Sequence, residues 1–108
     1  MKYKTDTATS KEIKRHLKAT GMPYGDDYVH KIKDSAYKFE AWDGELVGLL
    51  AVYERGYITN LSVAKGHRRR GIATKLLKIA SEKFSSFELE TNNMDFWLSR
   101  GFKVRMYR

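Results

Sequence analysis

Leu61-Ser62-Val63-Ala64-Lys65-Gly66-His67-Arg68-Arg69-Arg70-Gly71-Ile72-Ala73-Thr74-Lys75-Leu76-Leu77 is the stretch on which the fold turns. It starts as the end of an apolar strand running from Tyr57 to Val63 and passes through a loop of glycine and arginine. It then becomes a helix in which Ala73, Leu76, Leu77, Ala80 and Phe84 recur at helical spacing, with Lys75, Lys78, Glu82 and Lys83 on other faces. A strand-loop-helix junction of this composition suits an anion. The first helical turn has N–H groups without intrahelical acceptors, and the helix dipole adds partial positive charge. Gly71 and Ala73 leave little side chain between that backbone and a ligand. Arg68, Arg69 and Arg70 add charge-assisted donors suited to phosphate oxygens. Three arginines alone would fit a solvated basic loop; the glycine at the helix start, the small residues after it and the apolar strand before it favour the anion site.

Toward the N-terminus, Glu54-Arg55-Gly56 reads as a turn, and the run Leu46 to Tyr53, apolar on both faces, reads as a central strand. Asp43-Gly44 is a hairpin dipeptide through its need for positive φ, which makes Tyr37 to Trp42 the partner strand. Thr9 with Glu12 forms a capping box for a helix from Ser10 to Thr20, with Ile13 and Leu17 on one face and Gly21 as its stop. Asp26 and Asp27 can cap a second helix, apolar along Val29, Ile32 and Ala36, with His30, Lys31 and Lys33 outward. Toward the C-terminus follow a short strand from Phe87 to Thr91, a helix from about Asn93 to Arg100 stopped by Gly101, and a last strand from Lys103 to Tyr107. This order predicts a mixed α/β layer fold with helices on both faces of the sheet.

The chain has 108 residues, enough for one core and not two, so 1–108 reads as a single domain. Hydrophobic residues at 42% and aromatics at 13% exclude wholesale disorder. The longest apolar run covers eight residues, too few to span a membrane, and the lysine-rich start carries no secretory pattern. Without cysteine there is no disulfide scaffold, no thiolate metal site and no cysteinyl intermediate. These readings predict a soluble cytoplasmic domain. Lysine and arginine number 21 against 13 acidic residues, a balance of +8 that favours anionic partners and disfavours a polycationic substrate.

With these residues the chain resembles the GNAT family of N-acetyltransferases. The family's acetyl-CoA motif, Gln/Arg-x-x-Gly-x-Gly/Ala, reads here Arg68-Arg69-Arg70-Gly71-Ile72-Ala73. Leu61-Ser62-Val63 stands where the family strand shows Leu-x-Val, and Thr74-Lys75-Leu76-Leu77 continues the helix. Phe96-Trp97-Leu98-Ser99-Arg100-Gly101-Phe102 is similar to the family's late Phe-Tyr-x-x-x-Gly-Phe stretch, and Asp43-Gly44 with Leu46-Val47-Gly48 to its central hairpin. The resemblance covers roughly Phe39 to Phe102. It implies a mixed, mostly antiparallel sheet with helices on both faces, and a cofactor wedged where two neighbouring strands splay apart. The pantetheine arm of acetyl-CoA would pair with backbone groups of Leu61, Ser62 and Val63. The pyrophosphate would lie on the amides from Arg69 to Thr74, with Arg68 at the first motif position and Arg70 within the loop. The implied reaction is direct transfer of an acetyl group to an amine.

The chain is short for this family. That leaves little room for a full first strand and implies an acceptor pocket either open or completed by a second copy, a homodimer. Asn92 and Asn93 are both candidates for the family's cofactor-contacting asparagine. Trp97 stands where the family often has a tyrosine that protonates the leaving thiolate, and an indole N–H cannot fill that role near neutral pH. A phenol elsewhere, such as Tyr107, is a candidate acid; Trp97 is also a candidate wall of the acyl cleft.

Glu88 and Glu90 alternate with Phe87 and Leu89, so both carboxylates share one strand face and are candidate general bases. The plainer reading is two solvated charges. Glu54 and Asn60 are weaker options: the first serves the turn and the second cannot accept a proton. His16, His30 and His67 read as surface histidines, too scattered for a metal. Tyr24 and Tyr28, near the junction of the first two helices, are candidates for lining the acceptor pocket. The expected function is acetyl transfer from acetyl-CoA to a primary amine of a small molecule or amino sugar. The alternatives are a non-catalytic CoA-binding module and a nucleic-acid binder, the latter disfavoured by the lack of interleaved aromatic and basic residues.

Overall fold

The computed structural model describes residues 1–21, 24–89 and 104–106. Its elements are β1 (Lys2–Thr5), α1 (Ser10–Thr20), α2 (Asp26–Lys33), β2 (Tyr37–Asp43), β3 (Glu45–Val52), β4 (Ile58–Val63), a 3-10 turn (Lys65–His67), α3 (Ile72–Ala80), β5 (Phe87–Leu89) and β6 (Val104–Met106). Strands β1 to β4 form an antiparallel sheet in chain order, and β5 pairs with β6 in parallel. This is the mixed α/β architecture that the sequence predicts. A first strand does form, four residues long, against β2. The expected helix from Asn93 to Arg100 lies outside the described residues.

Both faces of β3 are buried, as an apolar run without alternation requires. On one face Val47, Leu50 and Val52 pack with Phe39 against Ile72, Leu76, Leu77 and Ala80 of α3. On the other, Leu46, Leu49 and Ala51 meet Ile13 and Leu17 of α1 and Val29 and Ile32 of α2. Each fully buried leucine or isoleucine contributes about 1.5–3 kcal/mol relative to exposure, so these two layers hold the helices to the sheet. Gly48 lets α3 approach closely. A Cβ there would stand 2.6 Å from Ile72 Cγ2, 3.2 Å from Ala41 Cβ and 3.3 Å from Leu76 Cδ1.

Helix α1 begins as expected: Thr9 Oγ1 accepts from the Glu12 amide, and Glu12 Oε1 accepts from the Thr9 amide. The segment before it is tied down by buried Glu40, whose carboxylate accepts from the amides of Thr7 and Ala8 and from Trp42 Nε1. Helix α2 departs from expectation. Its N-cap is Gly25, which makes no side-chain cap bond; Asp26 and Asp27 sit inside the first turn, where they complement the dipole. Ala36 lies beyond that helix, and Phe84 beyond α3, where it packs edge-on against Tyr37. No helix among the described residues is long and apolar enough to cross a membrane.

Two bulges shape the sheet. Val47 is the extra residue between β3 and β2, and Thr59 the extra residue between β4 and β3. A bulge bends its strand and re-aims the groups beside it. The second lies beside the Tyr57–Glu88 bridge.

Candidate active site

Just before β4 the chain pairs with β5. Tyr57 and Glu88 form a single parallel bridge, and the Glu88 amide donates to the Gly56 carbonyl at 2.9 Å. Past that point no ladder joins the two strands among the described residues, and the outer edge of Ile58 to Val63 has no paired strand there. The Ala64 amide donates to the Val47 carbonyl at 2.9 Å, which fixes the alternation of backbone directions along β4. Leu61 and Val63 turn their N–H and C=O groups outward, away from β3. Ser62, expected to present its backbone there, turns it to Leu49 of β3 instead and sends its side chain to the α1–α2 face.

At the far end of β4 the chain enters the arginine loop. Gly71 has φ 74°, a left-handed conformation that disfavours side chains, and it is the N-cap of α3 with no side-chain cap bond. Arg69 is also left-handed, at φ 63°, and a non-glycine residue held there is a cost that functional loops often carry. The Lys75 amide closes the first helical bond, to the Gly71 carbonyl at 3.0 Å, so the amides of Ile72 and Ala73 lie ahead of the helix ladder. A Cβ built on Gly71 meets no atom of the described residues within 4 Å. Ile72 itself is buried in the core, and Ala73 and Thr74 are half-buried.

The three arginines do different things. Arg68 does not face the open side of the loop. Its Nε donates to the Val63 carbonyl at 3.2 Å and its Nη2 to the Thr20 carbonyl at 2.9 Å, so it clamps the end of β4 to the C-terminus of α1. A cation at that helix end also suits the dipole. Arg70 donates to His67 Nδ1 at 2.8 Å and reaches Asp43 Oδ2 at 3.5 Å, tying the loop to the β2–β3 turn. Arg69 is exposed.

Tyr24 and Tyr28 do share one cavity. It has a volume of about 320 Å³ and is lined by Leu17, Thr20 and the two tyrosines on the helical side, and by Asn60 and Ser62 of β4. Behind its floor runs a chain of polar contacts. The Tyr28 hydroxyl donates to the Thr59 carbonyl at 3.2 Å or to Asn60 Oδ1 at 3.0 Å. Asn60 Nδ2 donates to the Leu49 carbonyl and to Ser62 Oγ, and Ser62 Oγ lies 2.9 Å from His16 Nε2. His16 Nδ1 lies 3.2 Å from the Leu46 carbonyl. Burial raises the Tyr28 pKa and lowers that of His16 below its usual value.

His16 is the clearest correction to the sequence reading. It reads as a surface histidine, yet only 1% of it is exposed. His30 is exposed, as expected. Glu88 stands apart from the tyrosine cavity. It lines a different one, of about 620 Å³, with Glu54, Asp34, Tyr53 and Tyr57. Glu90, Asn92, Asn93, Trp97 and Tyr107 lie outside the described residues. The side chain of Ser62 and the imidazole of His16 are the groups that sequence reasoning missed. Asn60 and Ser62, two apart on one strand, share a face and were open to a pattern argument. Nothing in the sequence signals that His16 meets them. Among the described residues no group of three or more His, Cys, Asp or Glu side chains is placed to hold a metal.

The chain is similar to known acetyltransferases in sequence family and fold. The family described as "Acetyltransferase (GNAT) domain" matches residues 5–104. No curated protein matches the sequence closely. Among solved structures, a GNAT-family acetyltransferase from Streptococcus pneumoniae superposes with a TM-score of 0.77 at 22% identity, covering 95% of this chain and 87% of that one. An aminoglycoside antibiotic 6'-N-acetyltransferase from Acinetobacter haemolyticus gives 0.63 at 18% identity, covering 95% and 91%. N-acetylglutamate synthase from Neisseria gonorrhoeae, solved with coenzyme A and N-acetyl-glutamate, gives 0.65 at 20% identity, covering 94% of this chain and 28% of that one. At these identities the structures attest the fold, and the match over residues 5–104 attests the family: the chain belongs to the GNAT acetyltransferases.

Proposed function

We propose that this 108-residue chain is a single-domain, cytoplasmic N-acetyltransferase that moves an acetyl group from acetyl-CoA directly to a primary amine of a small molecule or amino sugar. The observation that carries the reading is the arrangement around β4. The strand has an outer edge with no paired strand among the described residues, a glycine-started helix at one end and a tyrosine-lined cavity on one face. The family match and the fold shared with an aminoglycoside acetyltransferase support an amine acceptor.

The residues fit the cofactor: Gly71 carries no side chain, its Cβ position is open among the described residues, and the first turn of α3 offers amides of the kind that bind phosphate. The outward backbone groups of Leu61 and Val63 would hold the pantetheine arm, and the amides from Arg69 to Thr74 the pyrophosphate. Bound acetyl-CoA supplies an activated acetyl thioester. What the chain itself supplies is placement. Val63 connects that outer edge to Arg68, Arg68 reaches Thr20, and Thr20 lines the cavity, so loop and cavity are held in one frame. Bringing two reactants into such a frame converts an encounter into a unimolecular step.

A thermal shift with acetyl-CoA, set beside CoA, ATP and DNA, tests binding. At a hundredfold excess over Kd the stabilisation should be about 2.7 kcal/mol. Acetyl transfer to a panel of amines, amino sugars included, tests catalysis. No shift at millimolar acetyl-CoA, or an equal shift with DNA, refutes the reading. Binding without transfer to any amine would instead establish a non-catalytic CoA-binding module.

A further inference from the structure

His16 is buried, lies 46 residues before Ser62, and touches it across the interface between α1 and β4. The hydrogens of this contact can be assigned from the partners alone. The Leu46 carbonyl is only an acceptor, so His16 Nδ1, 3.2 Å away, carries a hydrogen. Burial favours the neutral ring, which then has a lone pair on Nε2. Ser62 Oγ, 2.9 Å from that lone pair, is the donor. One of the two lone pairs on Ser62 Oγ accepts from Asn60 Nδ2 at 2.9 Å. The other has no partner among the described residues, and Ser62 lines the cavity with Tyr24 and Tyr28.

We propose that Ser62 and His16 form a proton relay for the acceptor amine, with Ser62 touching the substrate and His16 acting through it. This deepens the N-acetyltransferase reading and rests on it. An ammonium in the cavity gives a proton to Ser62 Oγ as the serine's own proton passes to His16 Nε2. One N–H bond and one O–H bond break, one O–H bond and one N–H bond form, and the positive charge ends on the imidazole. The products are a neutral amine, able to attack a thioester, and an imidazolium still anchored by Nδ1–H on the Leu46 carbonyl. The other side of the imidazole borders a second, small cavity of about 70 Å³. The charged groups there are Glu12 and Arg15 from α1 and Glu45 from β3; from β4 and α2 the relay meets Asn60 and Tyr28. Once the product has left, the imidazolium returns its proton through Ser62 Oγ to water in the tyrosine-lined cavity.

The test combines two measurements. Long-range nitrogen–proton NMR on the folded protein should find neutral His16 protonated on Nδ1 at pH 7.5. The Nε2-protonated form would overturn the relay. The pH dependence of kcat/KM for acetyl transfer should show an acidic limb in the parent. Ser62→Ala should remove that limb and lower kcat on the order of 10²-fold, with acetyl-CoA affinity unchanged within twofold. Ser62→Thr, which keeps the hydroxyl, should retain limb and rate; His16→Gln should match Ser62→Ala if it folds. Transfer in Ser62→Ala with the parent's rate and profile overturns the relay while leaving the acetyltransferase reading intact. A parent that binds acetyl-CoA and transfers to no amine removes both.

Discussion

Gly71 separates the strain of a turn from the chemistry of an anion site. The residue is left-handed at φ 74°, and a Cβ on it meets no atom of the described residues within 4 Å. Gly71→Ala therefore adds strain without a clash. An L-residue in this region costs roughly 1–2 kcal/mol. For a chain of this size each kcal/mol lowers Tm by about 4–8 °C. Gly71→Asp should be the better tolerated of the two in the free protein. Aspartate enters the left-handed region more readily than alanine, and a carboxylate at a helix N-terminus contributes about 0.3–1 kcal/mol. Binding should run the other way. A carboxylate about 5 Å from a phosphate charge repels it by about 1–3 kcal/mol per unit charge, for effective dielectrics between ~80 and ~20. That weakens acetyl-CoA binding about 5- to 150-fold relative to Gly71→Ala. Isothermal titration with acetyl-CoA and a melting curve for each variant give the two orders. Opposed orders are the expected result: aspartate above alanine in Tm, alanine above aspartate in affinity. If Gly71→Asp binds within twofold of Gly71→Ala, no phosphate approaches this backbone and the reasoning fails.

Three further perturbations follow from the packing. Gly48→Ala should cost about 1–3 kcal/mol by overpacking, because its Cβ falls 2.6 Å from Ile72 Cγ2; a double-mutant cycle with Ile72→Ala should be non-additive, and additivity would show that the two do not meet. Arg68→Ala should lower stability by roughly 1 kcal/mol, through loss of its bonds to the Val63 and Thr20 carbonyls, and Arg68→Lys should not restore it because one ammonium lacks the guanidinium's fork. An unchanged urea midpoint in Arg68→Ala would contradict the clamp. His16 makes stability depend on pH: its folded pKa is lowered by burial, so below about 6.5 the unfolded chain takes up a proton that the native state refuses. Stability is present above that value and falls as pH drops toward the lower folded pKa. His16→Gln should flatten this window, and a slope identical to the parent's would place the titration elsewhere.

Much of the fold was legible in the sequence because its signals are local. The capping box of Thr9 and Glu12, the Asp43-Gly44 turn and the helical spacing after Gly71 each need only neighbours along the chain, and each element begins within a residue or so of its expected start. The unbroken apolar run of β3 likewise forces burial on both faces, and so helices on both sides. The start of α3 at Gly71 was readable for the same reason: an N-terminal helical turn and a glycine are local features. What the sequence left open depends on groups brought from far apart. Arg68 carries the first letter of a binding motif, but only the packing of α1 against β4 puts the Thr20 carbonyl where its guanidinium can reach. The alternation of β4 decides that Ser62 gives its side chain, and not its backbone, to the site, and that alternation is set by pairing with β3. His16 shows the limit most plainly. Its charged neighbours suggest a wet surface, and a helix of eleven residues has no way to record which face its partner sheet will cover. Only the docking of α1 on Leu46 and Ser62 turns a soluble imidazole into a buried, singly oriented one, because desolvation and two fixed hydrogen-bond partners exist nowhere except in the folded chain.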